Sequence, residues 1–137
     1  MRKGIGLVIR QAERHDAGLA QLALSFAQDL PGEVHIQVFV SRGTRGFGWH
    51  YDVEDVFIAQ THGIKDYFFR ENTVTREIPA GQLDFEPFRR QVSPLGTARL
   101  LSGDWLYIPS RWWHMAKCIE NSLSISLGVL LNDSLSQ

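Results

Sequence analysis

The sequence predicts a mainly β fold, an antiparallel sandwich or barrel with one N-terminal amphipathic helix. Three observations lead there. About eight short runs are rich in β-branched and aromatic residues or alternate apolar with polar. Glycine and proline turns separate them at short intervals, the spacing expected of sandwiches and barrels. Only one stretch, in the first quarter of the chain, has a helical apolar period.

Taken in order, Gly4 to Ile9 (GIGLVI) reads as a first strand entering the core. Glu13 to Leu30 carries Leu19, Leu22, Ala23, Phe26 and Leu30 at spacings of three and four, one apolar stripe of a helix that Pro31-Gly32 stops. Val34 to Val40 is a strand. The glycine-rich Arg42 to Gly48 is a loop. Trp49 to Gln60 and Lys65 to Arg70 read as two strands joined by a hairpin turn at Thr61-His62-Gly63-Ile64. Glu71 to Pro94 is polar, carries Pro79, Gly81 and Pro87, and predicts an irregular excursion. In a small domain such a long loop suits a lid or a substrate-facing segment. Strands follow at Thr97 to Leu101, Trp105 to Ile108, Met115 to Ile119 and Leu123 to Leu131, and the tail from Asn132 frays. No internal repeat or linker interrupts the chain.

At 137 residues the chain has room for one domain and one core, with the helix at about 13–30 and the barrel at about 34–131. A net charge of −1 gives no electrostatic reason for non-specific nucleic-acid binding. No apolar run approaches the roughly 20 residues a membrane helix needs, and the short Ile5 to Ile9 segment does not make a signal peptide. The lone Cys118 excludes an internal disulfide and suits a reducing compartment, so the cytoplasm is the expected location.

The chemistry gathers around His50-Tyr51-Asp52. On an extended chain, residues two apart project to one face, so His50 and Asp52 can converge on one metal ion. Taken alone, such a pair also occurs widely without a metal. A second histidine, His114, follows in Ser110-Arg111-Trp112-Trp113-His114, 62 residues after Asp52. Two histidines and a carboxylate make the facial triad of non-haem Fe(II) oxygenases, which leaves positions open for co-substrate and oxygen. Tyr51 and Trp49 flank the ligands, and one of Trp112 and Trp113 belongs to the core because neighbouring strand residues face opposite ways. His15, His35 and His62 have no carboxylate at ligand spacing and read as structural or exposed. Cys118 reads as a buried thiol.

Specific residues carry a family resemblance. His50-Tyr51-Asp52 through Asp55-Val56-Phe57, Gln60, Gly63 and Lys65 resembles the metal-binding strand and following hairpin of the JmjC-type, cupin-fold 2-oxoglutarate oxygenases. Gly103-Asp104-Trp105-Leu106-Tyr107-Ile108-Pro109, Trp112-Trp113-His114 and Ser124-Ile125-Ser126 resemble that family's second metal-ligand segment. Within the family the chain is similar to the bacterial ribosomal oxygenases and to the asparaginyl hydroxylase of hypoxia-inducible factor.

The resemblance implies a double-stranded β-helix, the jelly-roll of the cupins, and an Fe(II)- and 2-oxoglutarate-dependent hydroxylase. By it, His50, Asp52 and His114 fall on the metal-ligand positions and Lys65 on the position that binds the distal carboxylate of 2-oxoglutarate. Polar residues that hold the co-substrate in the asparaginyl hydroxylase are replaced here by Phe47, Val56 and Gly128. That leaves the anchoring to Lys65, or shares it with Gln37 or Thr44. It implies O2 as the oxidant and a protein side chain, of a ribosomal protein for instance, or a small molecule as substrate, and it allows a homodimer. The alternative is a cupin-type metal-binding module without 2-oxoglutarate turnover, a sensor or scaffold. A metal-independent interaction barrel is the third reading. Lys65 separates the first two, since a metal module needs no lysine facing the cavity.

Overall fold

The computed structural model describes residues 5–43, 46–73 and 93–131. Nine strands build two antiparallel sheets: β1 (Ile5–Ile9), β2 (Gly32–Arg42), β3 (Gly46–His50), β4 (Asp55–His62), β5 (Lys65–Arg70), β6 (Gly96–Leu100), β7 (Trp105–Ile108), β8 (Trp113–Cys118) and β9 (Ser122–Leu131). The first sheet has the order β1-β2-β9-β4-β7 and the second β3-β8-β5-β6. Apart from β1–β2 and β5–β6, neighbours in each sheet are not consecutive in the chain, which is the jelly-roll crossing of a cupin-like barrel.

The helix is shorter than its apolar stripe suggests. It runs Ala17–Asp29 (α1), because the Asp16 carboxylate caps it by accepting from the Leu19 N–H at 2.9 Å. Glu13 sits before it in a 3₁₀ turn, Ala12–Arg14, and its carboxylate accepts from the Ile36 N–H at 3.3 Å. The stripe Leu19, Leu22, Ala23 and Phe26 packs on the outer face of the first sheet, over Ile36, Leu127, Val38 and Phe57. A second core lies between the sheets, built on Val56, Ile58, Tyr67, Leu100, Ile108 and Ala116.

Four sequence expectations need correction. β1 lies at a sheet edge with Leu7 and Ile9 exposed, so it does not enter the core. The expected loop at 42–48 contains the start of β3. The expected strand from Trp49 to Gln60 is broken: β3 ends at His50, and β4 starts at Asp55 in the other sheet. Lastly, the turn at Thr61 to Ile64 forms no hairpin, because β4 and β5 pair in different sheets. Gly63, at φ +77°, makes the reversal, and a Cβ there would run into the Asn121 carbonyl oxygen. Gln60 clamps this turn from inside, its amide donating to the His62 carbonyl at 2.8 Å and the Gly63 carbonyl at 3.3 Å.

Most of the excursion from Glu71 to Pro94, and the tail, lie outside the described residues. The ends of the excursion are tied together, however. The Ser93 hydroxyl donates to the Glu71 carbonyl at 2.6 Å, and the Arg70 guanidinium to the Ser93 carbonyl at 2.7 Å.

Candidate metal centre

The break between β3 and β4 builds the site. His50 is the last residue of β3 and stands directly across from His114 on β8, with ring centroids 4.2 Å apart. The chain then bends through residues 51–54 to change sheets, which turns Asp52 toward both rings. Its Oδ2 lies 3.4 Å from His114 Nε2 and 3.8 Å from His50 Nε2. One donor atom from each residue fits within 4.8 Å of the others, a group that can hold a metal ion. Convergence thus comes from a bend and a cross-strand pair, and not from a single extended strand.

The bend is held from outside. The Arg111 N–H donates to the Asp52 carbonyl at 2.7 Å, with Arg111 in the left-handed region at φ +68°. The Ser110 hydroxyl donates to the Val53 carbonyl at 2.5 Å. Asp55 Oδ1 accepts from the Ser110 N–H at 3.0 Å and from the Tyr107 hydroxyl at 2.6 Å, which pushes the phenol up to about 12. The loop before His114 therefore fixes the carboxylate that works with it.

The donor chemistry suits a metal. His50 Nδ1 lies 2.8 Å from the Gly48 carbonyl and His114 Nδ1 lies 3.0 Å from the Trp112 carbonyl. A carbonyl only accepts, so each Nδ1 donates to its carbonyl, and Nε2 is the ring atom that faces Asp52. Burial raises the Asp52 carboxyl, but His114 and His50 outweigh it and leave the group below the usual carboxylate range, ionised and ready to coordinate.

Beside the triad lies a cavity of about 330 Å³. Lys65, the first residue of β5, lines it and is 1% exposed. Its strand pairs with β8, the strand of His114. The ammonium lies 3.4 Å from Ser124 Oγ, 5.4 Å from the centre of the Phe39 ring and 5.7 Å from that of Tyr67. Desolvation lowers its pKa to about 8, against the opposing pull of the Cys118 sulfur. Tyr67 is pushed up to about 12 by the same burial. Gln37 lines the same cavity from β2, and Thr44 lies outside the described residues.

Of the other residues singled out in the sequence, none of Tyr51, Trp49, Trp112 and Trp113 lines the cavity. Trp113 is buried and packs edge-on against Tyr51 at 5.0 Å, while Trp112 packs on the inter-sheet core. His15 and His62 are exposed, and His35 sits between Glu13 and Glu33. Cys118 is fully buried and donates to the Glu120 carbonyl. Sequence reasoning missed Arg10, Phe39 and Tyr67 as cavity-lining residues.

A two-sheet jelly-roll whose cavity is lined by two histidines and an aspartate able to hold a metal ion has the architecture of the cupins. Residues 8–136 match the family model of the JmjC domain, and the chain belongs to that family. It is 27% identical over 132 residues to Jumonji C domain-containing protein 5 of Drosophila melanogaster, covering 84% of this chain and 32% of that protein. The solved structure of Escherichia coli ycfD superposes with a TM-score of 0.68 at 27% identity, covering 90% of this chain and 33% of that one. YcfD, a ribosomal oxygenase, has also been solved in complex with cobalt and 2-oxoglutarate; that structure superposes with a TM-score of 0.66 at 23% identity, over 90% of this chain and 31% of that one. A cupin superfamily protein from Desulfitobacterium hafniense shares the fold alone, at 10% identity and a TM-score of 0.54, covering 94% of this chain and 79% of that one. The chain spans about a third of the length of the Drosophila protein and of ycfD.

Proposed function

We propose that this protein is an Fe(II)- and 2-oxoglutarate-dependent oxygenase that hydroxylates a protein side chain or a small molecule in the cytoplasm. One observation carries the reading: a buried ammonium, Lys65, faces the cavity that the His50–Asp52–His114 cluster also lines. A module that only stored or sensed a metal would gain nothing from that costly burial. A dicarboxylate reaching from the triad to Lys65 would repay it with a charge-assisted pair in a partly dry site.

In this reading His50, Asp52 and His114 hold the iron. When bound, it supplies O2 activation coupled to oxidative decarboxylation of 2-oxoglutarate to succinate and carbon dioxide, with hydroxylation of the substrate. The residues contribute geometry. The paired carbonyls of Gly48 and Trp112 orient the imidazoles, the Ser110–Asp55 contacts hold the carboxylate, and Phe39 and Tyr67 exclude water around Lys65. Support comes from the family and from YcfD, a ribosomal oxygenase solved with cobalt and 2-oxoglutarate. That likeness makes a ribosomal protein side chain the first substrate class to try.

The test is succinate formation from 2-oxoglutarate by Fe(II)-loaded protein, beside Asp52→Ala. The proposal expects a slow basal turnover in the wild type that vanishes in the variant. Binding of 2-oxoglutarate with turnover only after a substrate is added also fits. Failure of the wild type to bind 2-oxoglutarate contradicts the proposal and favours a metal module.

A further inference from the structure

Lys65 and the triad leave one polar row of the cavity unused. The β2–β9 register places Gln37 opposite Ser126, and the β1–β2 register runs to Ile9 opposite Val38, so Arg10 follows beside Gln37. Arg10, Gln37 and Ser126 all line the cavity. Among the described residues their side chains make no hydrogen bond or ion pair. The row ends at the sheet edge, where Arg10 is exposed. Along β9, Lys65 reaches Ser124 on one side of this row, and Gly128 beside Glu54 marks the triad end on the other.

Charge decides what such a row selects. Asp52, Lys65 and Arg10 are the charged residues that line the cavity. A divalent metal, the 2-oxoglutarate dianion, the Asp52 carboxylate and the Lys65 ammonium together sum to zero. The Arg10 guanidinium, exposed where it lines the cavity, is then an uncompensated positive charge beside it. It repels a cationic substrate and rewards an anionic one. Its planar fork matches a carboxylate, and Gln37 and Ser126 add neutral donors beside it.

Resting on the oxygenase reading above, we propose that Arg10, Gln37 and Ser126 form the recognition row for the substrate to be hydroxylated, and that they select one bearing a carboxylate close to the reacting carbon. The carboxylate belongs to an acidic side chain or to a small organic acid. Arg10 is the specificity-determining residue.

The experiment uses Zn(II)-loaded protein saturated with N-oxalylglycine, an inert stand-in for 2-oxoglutarate. N-acetyl-aspartate amide, N-acetyl-arginine amide, an aspartate-centred peptide and free malate are titrated by ligand-observed NMR. The acidic probes should bind and the arginine probe should not. Stronger binding of the peptide assigns the carboxylate to a protein side chain, and stronger binding of malate assigns it to a small acid. Arg10→Gln should weaken the acidic probes by about tenfold while leaving N-oxalylglycine affinity and the far-UV circular dichroism unchanged. Arg10→Glu should invert the preference. Equal binding of acidic and basic probes, or no effect of Arg10→Gln, overturns the proposal. So does a loss of N-oxalylglycine in Arg10→Gln as large as in Lys65→Met, which moves Arg10 into the co-substrate anchor. If N-oxalylglycine fails to bind the wild type, the oxygenase reading fails instead. The same probes on the Zn(II) protein alone then decide the row by itself: acid preference dependent on Arg10 retains it as a carboxylate site, and lack of preference removes it.

Discussion

Lys65 answers two opposed demands under the proposed function, since its burial penalises the ligand-free fold and would prepare the cavity for a dianion. Its pKa of about 8 lies below the ordinary 10.5 because desolvation disfavours the ammonium. Between those values the unfolded chain binds more protons than the folded one, so stability rises with pH there. The penalty is fully present below pH 8 and relieved as pH approaches 10.5. Urea unfolding of the ligand-free wild type and Lys65→Met should therefore show the variant more stable at pH 7. The gap should close at up to about 1.4 kcal/mol per pH unit above 8; a gap that does not change with pH would refute the burial argument. At this scale the gathering of His50, Asp52 and His114 was legible, because two histidines and an aspartate in two segments form a chemically specific set. Arg10 was not. It follows an apolar run whose alternation, Val8 and Arg10 inward with Leu7 and Ile9 exposed, becomes readable only once β1 is known to be an edge strand.

The elements that position the site act through a few backbone ties. Asp55 accepts from both Ser110 and Tyr107 and so braces the bend that carries Asp52. Asp55→Ala should cost about 1–3 kcal/mol of stability and lower Zn(II) affinity about 10–100-fold, read by denaturation and by competition with a chromophoric chelator. Unchanged metal affinity would show that the bend holds itself. At the other crossing, Gly63→Ala meets both the positive φ and the Asn121 carbonyl. It should destabilise by about 1–3 kcal/mol and weaken 2-oxoglutarate binding through Lys65 two residues on; retained stability would show that the turn relaxes freely. The sequence marked the turn at Thr61 to Ile64 but misjudged what it joins, and it read straight through the bend at residues 51–54 as one strand. A glycine turn between two β-prone runs reads the same whether the strands pair or enter different sheets, and the break at residues 51–54 carries neither glycine nor proline. β9 was misleading in another way. Its Ser124 and Ser126 alternate with apolar Ile125 and Leu127 as they would on a half-solvated strand, yet the serines face the interior and the apolar residues lie under α1. A polar cavity imitates solvent in the pattern.

For the whole molecule, the jelly-roll brings a metal-competent triad and a buried ammonium into one cavity, although they arise from three separate segments of the chain. The fold was legible because short strands, tight turns and a single helix leave few alternatives, and the family resemblance selected among them. Under the proposed function the triad holds the metal and Lys65 holds the far end of a dicarboxylate. The most direct measurement is isothermal titration of Mn(II), and then of 2-oxoglutarate, into wild type, Asp52→Ala and Lys65→Met. Wild type should take up both, Asp52→Ala should lose the metal and with it the co-substrate, and Lys65→Met should keep the metal and lose 2-oxoglutarate. Undiminished 2-oxoglutarate binding by Lys65→Met, or undiminished metal binding by Asp52→Ala, would contradict it.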